Sequence, residues 1–140
     1  MSDSIPSATP VLLLPGLICD ARIWAPQAEG LRDRYAVEAV DGYGEADSIG
    51  AMAETVLASA PDRFVVIGHS MGGRVAMEVI RRAPERVIAL GLISTGIHPQ
   101  NPGEAEGRFA LLARGVEQGM DALIDAWLPP MVHEPNRLTP

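Results

Sequence analysis

Residues 64–80 read Phe-Val-Val-Ile-Gly-His-Ser-Met-Gly-Gly-Arg-Val-Ala-Met-Glu-Val-Ile, and they constrain the chain more than any other stretch. Residues 64–67 are an apolar run with the composition of a strand. The run ends in Gly68-His69-Ser70-Met71-Gly72-Gly73. A helical pattern follows at once, with Ala76, Val79, Ile80 and Ala83 on one face. A strand, a sharp turn carrying a serine and a helix give a G-x-S-x-G match the context of a nucleophile elbow. Glycine at 68 and 72 leaves room for a tight turn, and the serine between them is expected in a strained conformation. Its Oγ is then expected to project from the C-terminal edge of a sheet, at a helix start. Free N–H groups and the positive dipole end can meet an oxyanion there. The competing reading is a glycine-rich turn that only joins two elements.

The preceding residues supply a setting. Residues 1–9 read as a loose polar leader. Val11-Leu12-Leu13-Leu14 is apolar on both faces, as a central parallel strand is, and it stops at Pro15-Gly16-Leu17. Asp20 can cap a short helical stretch over 22–31, with Pro26 tolerable only near its start. Residues 35–40 form the next strand, ending at Asp41-Gly42-Tyr43-Gly44. Asp47 or Ser48 caps an amphipathic helix whose apolar face is Ile49, Met52, Ala53, Val56, Leu57 and Ala60. Residues 87–93 are another continuous apolar strand.

This alternation predicts an α/β fold: a mostly parallel sheet with helices on both faces and right-handed crossovers. After Ile93 the character changes. Residues 94–103 are polar and broken by Gly96, Pro99, Pro102 and Gly103. Two helical patterns follow, Phe109-Leu112-Ala113-Val116 and Met120-Leu123-Ile124-Trp127, with Gly119 between them. No further strand follows, so they read as a helical insertion above the sheet. The expected division is residues 1–98 as core and 99–140 as the start of a lid.

Charge and cysteine content exclude some function classes. The net charge is −7, from 11 Lys+Arg and 18 Asp+Glu, with no basic cluster. Nucleic acid and anionic membrane surfaces are therefore poor partners. Cys19 stands alone, and no Cys/His spacing suggests a metal site, so no metal or cofactor is expected. No apolar run reaches membrane-span length, and the start lacks a signal-peptide pattern. The expectation is a soluble cytoplasmic protein.

Taken together, these residues resemble the α/β-hydrolase superfamily over about residues 11–128. The features that carry the likeness are the first strand into Pro15-Gly16-Leu17, the Trp24 helix, Asp41-Gly42-Tyr43-Gly44, the elbow, and a lid starting near residue 103. Within the superfamily the chain looks like small single-domain bacterial hydrolases of esters, lactones or activated carbon–carbon bonds. The resemblance implies that Ser70 is the catalytic nucleophile and forms an acyl-enzyme with a small acyl substrate. It implies an oxyanion hole made by the backbone N–H of Met71 and one from the loop after the first strand, with Leu17 the first candidate and Ile18 next. His69 is expected to pack and hydrogen-bond locally. Cys19, Trp24, Phe109 and Trp127 are expected to pack, and Met71 to line the pocket.

The family order of serine, acid, histidine is not completed. Ser94-Thr95 stands where some relatives carry the acid. His98 follows a strand end on the Ser70 edge, and reads either as a pocket residue or as an exposed loop histidine. His133 with Asp121 or Asp125 gives the order formally, but both aspartates fall on a lid helix, where a solvated face is their usual role. The favoured expectation is that the sequence is part of a longer, active enzyme. The alternative is a non-catalytic remnant that binds an acyl ligand, or self-associates through the strand at 87–93, which would be an apolar edge. A dinucleotide-binding unit finds no support, because no G-x-G-x-x-G follows either early strand.

Overall fold

A computed structural model describes residues 8–137, so the polar leader read at residues 1–9 lies almost wholly outside the described residues. The chain forms two compact units, one running to Ile97 and one starting at His98.

The first unit is built on four strands: β1 (Pro10–Leu14), β2 (Ala36–Ala39), β3 (Phe64–His69) and β4 (Val87–Ile93). Helices α1 (Ala25–Leu31), α2 (Ile49–Ser59) and α3 (Met71–Arg82) connect them. All pairings are parallel, in the order β2-β1-β3-β4. This is the expected α/β fold. Alternate strand residues face opposite sides, and the core splits accordingly. Leu12, Leu14, Phe64 and Val66 pack with Ala53 and Val56 of α2 and with Val75, Ala76 and Val79 of α3. Val11 and Leu13 pack with Trp24 and Ala28 on the other face. Leu14, Phe64, Val66 and Val75 are fully buried, and burying each such side chain contributes about 1.5–3 kcal/mol.

The ends of the helices follow their local chemistry. Asp20 accepts the Arg22 N–H at 2.9 Å and heads a 3₁₀ turn, Ala21–Trp24, that leads into α1. Pro26 sits in the first turn of α1, where its missing N–H costs nothing. Ser48, not Asp47, caps α2 by accepting the Ala51 N–H. Arg82 bridges Glu54 of α2 and Glu78 of α3. Hydrogen bonds from Arg81 first, then Arg82, hold the Glu78 carboxyl down at about 2.

The two edge strands have more open surroundings than β1 and β3. β2 is short and exposes Ala36 and Glu38, because it lies at one edge of the sheet. β4 lies at the other edge, and among the described residues no strand covers its outer side. Its Ile88, Leu92 and Ile93 are 46%, 45% and 44% exposed. Their composition reads as an interior strand, and the exposed apolar edge is the alternative raised in the sequence.

The second unit holds α4 (Glu104–Gln118) and α5 (Met120–Trp127). Gly119 turns the chain between them with φ 91°. Leu123 of α5 packs against Gly115 of α4, where an added Cβ would come within 2.8 Å of the leucine. Phe109, expected to pack, is exposed, and so are Leu112 and Val116. No helix among the described residues is long and apolar enough to cross a membrane.

The β3–α3 bend depends on glycine. A Cβ at Gly68 would lie 2.1 Å from the Gly72 carbonyl oxygen, and one at Gly72 would lie 2.4 Å from that of Leu14. A Cβ on Gly30 of α1 would meet nothing within 4 Å. Gly68→Ala is therefore expected to destabilise the protein by at least about 1–3 kcal/mol. Gly30→Ala should be neutral, or stabilising by about 0.5–1 kcal/mol. Urea unfolding followed by circular dichroism measures both.

Candidate active site

Ser70 stands between β3 and α3 with φ 54° and ψ −119°. A residue with a Cβ holds such a conformation at a cost on the order of 1–3 kcal/mol, and only where its surroundings enforce it. Here they do. The Ser70 N–H donates to the Ile93 carbonyl at 2.9 Å. The Ser70 carbonyl accepts twice, from the Gly73 N–H at 3.0 Å and from the Thr95 hydroxyl at 2.7 Å. Both sides of the serine are thus tied, and two of the three ties come from the end of β4 and the residues just after it.

The loop after β1 runs against the same serine. A Cβ on Gly16 would lie 3.3 Å from Ser70 Cβ and 3.2 Å from His69 Nδ1. The first turn of α3 sits under the carbonyls of Leu14 and Pro15, close enough that only glycine fits at 72. Ser70, the β1 loop and the α3 N-terminus therefore meet at the C-terminal edge of the sheet. Met71 is the first residue of α3, so its N–H has no intrahelical acceptor. It also sits at the positive end of the helix dipole.

Leu17 and Ile18 form a turn closed by the Cys19 N–H on the Gly16 carbonyl at 3.2 Å. Ile18 has φ 58°, unusual for a β-branched residue. Leu17 and Ile18 are 42% and 47% exposed. The loop is braced from below by Tyr43, which is buried and donates its hydroxyl to the Pro15 carbonyl at 2.8 Å. Burial pushes the Tyr43 phenol well above its ordinary pKa, so it stays a donor. Burial first, and the Asp20 charge second, push the half-buried Cys19 thiol up as well, which keeps it a poor nucleophile.

His69 packs as expected, its ring edge-on to Trp24 with centroids 6.4 Å apart. The local hydrogen bond expected of it is not made at Nδ1. That atom is buried without a protein partner, and so is Trp24 Nε1. A Cβ on Gly16 would come within 3.2 Å of the His69 Nδ1, so the β1 loop passes close to the ring. His98 opens the second unit, exposed, with Nδ1 3.0 Å from the Pro99 carbonyl. His133 precedes a short 3₁₀ turn, Glu134–Asn136. Asp121 and Asp125 are exposed on α5. No group of three or more His, Cys, Asp or Glu lies together among the described residues to hold a metal ion.

Two residues of this site were not visible as such in the sequence. Thr95 registered only as the lack of a carboxylate, yet its hydroxyl ties the serine. Tyr43 was one letter of a loop motif. The available signal was a hydroxyl-bearing aromatic between two glycines, directly after a strand.

A parallel sheet with helices on both faces, and a serine strained at the bend between strand and helix, define a class of α/β folds. The chain belongs to the alpha/beta hydrolase family, whose model matches residues 11–139. It is 38% identical over 93 residues to the biotin biosynthesis bifunctional protein BioHC of Cellvibrio japonicus, covering 61% of this chain and 18% of that protein. It is 38% identical over 86 residues to the pimeloyl-[acyl-carrier protein] methyl ester esterase of Pectobacterium carotovorum, covering 56% and 34%. Among solved structures, a thermophilic esterase from Thermogutta terrifontis superposes with a TM-score of 0.81 at 28% identity, over 93% of this chain and 53% of that one. The enol-lactonase from Burkholderia xenovorans gives 0.77 at 26% identity, over 88% and 51%. The chain thus spans about half of each of these two solved proteins and 18% and 34% of the two curated relatives.

Tyr43→Phe leaves the Pro15 carbonyl without its buried donor. Stability is expected to fall by about 1–3 kcal/mol, read from the urea midpoint at unchanged slope.

Proposed function

We propose that Ser70 is the nucleophile of a serine hydrolase acting on a small ester, lactone or related acyl substrate. The observation that carries the reading is the serine's strained backbone, held between β3 and α3 with the β1 loop against it. Strain enforced from several sides is a feature of functional positions. The esterase and enol-lactonase among the similar proteins support the substrate class.

In this reading Ser70 Oγ attacks the acyl carbonyl and an oxyanion forms on its oxygen. The N–H of Met71 receives that charge from the helix start, and the N–H of Leu17, or of Ile18 beside it, receives it from the β1 loop. Removing one such donor typically costs on the order of 10²–10³ in turnover. The acyl-enzyme then forms as the alcohol leaves, and water releases the acid. A serine hydroxyl needs a base to take its proton. The family order places acid and base after the serine in the chain, so the activity proposed is that of the whole protein. Main-chain donors leave the side chains at 17, 18 and 71 free to shape the pocket.

A fluorophosphonate probe is expected to label the intact protein at Ser70, with the adduct located by peptide mass spectrometry. Ser70→Ala should abolish the adduct. No labelling, or labelling that survives the substitution, would reject the nucleophile.

A second reading is favoured by the exposed apolar residues of β4, Ile88, Leu92 and Ile93. In it, a non-catalytic chain binds an acyl ligand or pairs with another copy through that edge. It predicts an oligomer that dissociates on dilution in size-exclusion chromatography. A monomer at every concentration removes it.

A further inference from the structure

We infer that Thr95 is a positioning residue for the oxyanion hole, acting through the peptide that joins Ser70 to Met71. The inference rests on the proposed role of Ser70 and deepens it. The Thr95 hydroxyl donates to the Ser70 carbonyl at 2.7 Å. That carbonyl and the Met71 N–H belong to one planar trans peptide. They point in opposite directions, so a group that fixes the carbonyl fixes the N–H on the far side. The same hydrogen bond polarises the amide and makes its N–H a stronger donor. Thr95 thus grips the back of the group whose front faces the developing negative charge.

Its position is itself set on both sides. Ile93, two residues before it, accepts the Ser70 N–H at 2.9 Å. Ser94 turns the chain with φ 47°, one of three non-glycine residues with positive φ among the described residues, beside Ile18 and Ser70. The Thr95 side chain then lies over Gly73, where an added Cβ would come within 2.6 Å of Thr95 Cγ2. The Gly73 N–H fills the carbonyl's other acceptor position at 3.0 Å. The Thr95 hydroxyl is engaged with the Ser70 carbonyl, so its effect is expected in turnover and not in substrate binding.

The test uses the intact protein with p-nitrophenyl acetate, and Ser70→Ala as the blank. Thr95→Val keeps the shape and removes the hydroxyl. It is expected to lower kcat about tenfold, a fraction of the loss for a whole donor, with KM within twofold. Thr95→Ser restores the hydroxyl and should recover kcat to within twofold. The amide nitrogen resonance of Met71 should move in the valine variant and return in the serine variant. An unchanged kcat in Thr95→Val overturns the inference whatever the resonance does. So does a loss carried by KM, or an equal loss in the serine variant, which would mean that the methyl against Gly73 matters and the hydroxyl does not. If Thr95→Val does not fold, Thr95→Ala is read by the same criteria. If the wild type turns over no faster than Ser70→Ala, the proposed function falls. The role of Thr95 in an oxyanion hole is overturned with it, and a Met71 resonance that moves and returns then shows only that the hydroxyl holds the Ser70–Met71 peptide.

Discussion

Backbone pressed directly on backbone is the contact from which the rest of the first unit follows. Gly72 lies under the carbonyls of Leu14 and Pro15, and Gly68 lies under that of Gly72. No side chain separates the start of α3 from the ends of β1 and β3. That closeness brings three things to one edge: a helix N-terminus, a strained serine and the loop after the first strand. It also leaves little freedom elsewhere. With α3 drawn onto β1, the residues Val75, Ala76 and Val79 meet Leu12, Leu14 and Val66, and their modest size is what the short distance allows.

The strain at Ser70 is offset by ordinary hydrogen bonds arranged around it. Each is worth about 0.5–1.5 kcal/mol net. Three of them, from Ile93, Gly73 and Thr95, are of the same order as the cost of the backbone conformation. Neither the bend nor its supports would persist alone. The β1 loop shows the same arrangement on a smaller scale, with Ile18 in a left-handed turn and Tyr43 bracing Pro15 from the core.

Much of this was legible in the sequence, for physical reasons that differ by element. β1 and β3 are announced by apolar runs because both of their faces are buried. α2 is announced by spacing, because one face is buried and the other solvated. The bend at Ser70 is announced by its glycines, because no other residue fits. The place of β4 is open in the sequence: Val-Ile-Ala-Leu-Gly-Leu-Ile reads the same with or without a neighbour, and an apolar edge at 87–93 is only one of the readings. The roles of Thr95 and Tyr43 were not legible either. Each makes one hydrogen bond to a residue more than twenty positions away, and such a bond leaves no periodic trace.

The strand order has a consequence for how this unit assembles. Every neighbouring pair in a β2-β1-β3-β4 parallel sheet is joined across a helix, so no ladder can close by zipping from a local hairpin. Loop closure must be met before pairing is rewarded, which slows chains of this topology. Two of the serine's three ties come from Ile93 and Thr95, at and just beyond the end of β4. The bend at Ser70 therefore completes only when β4 docks, and a sheet still lacking β4 carries Ser70 without the clamp that gives it its shape.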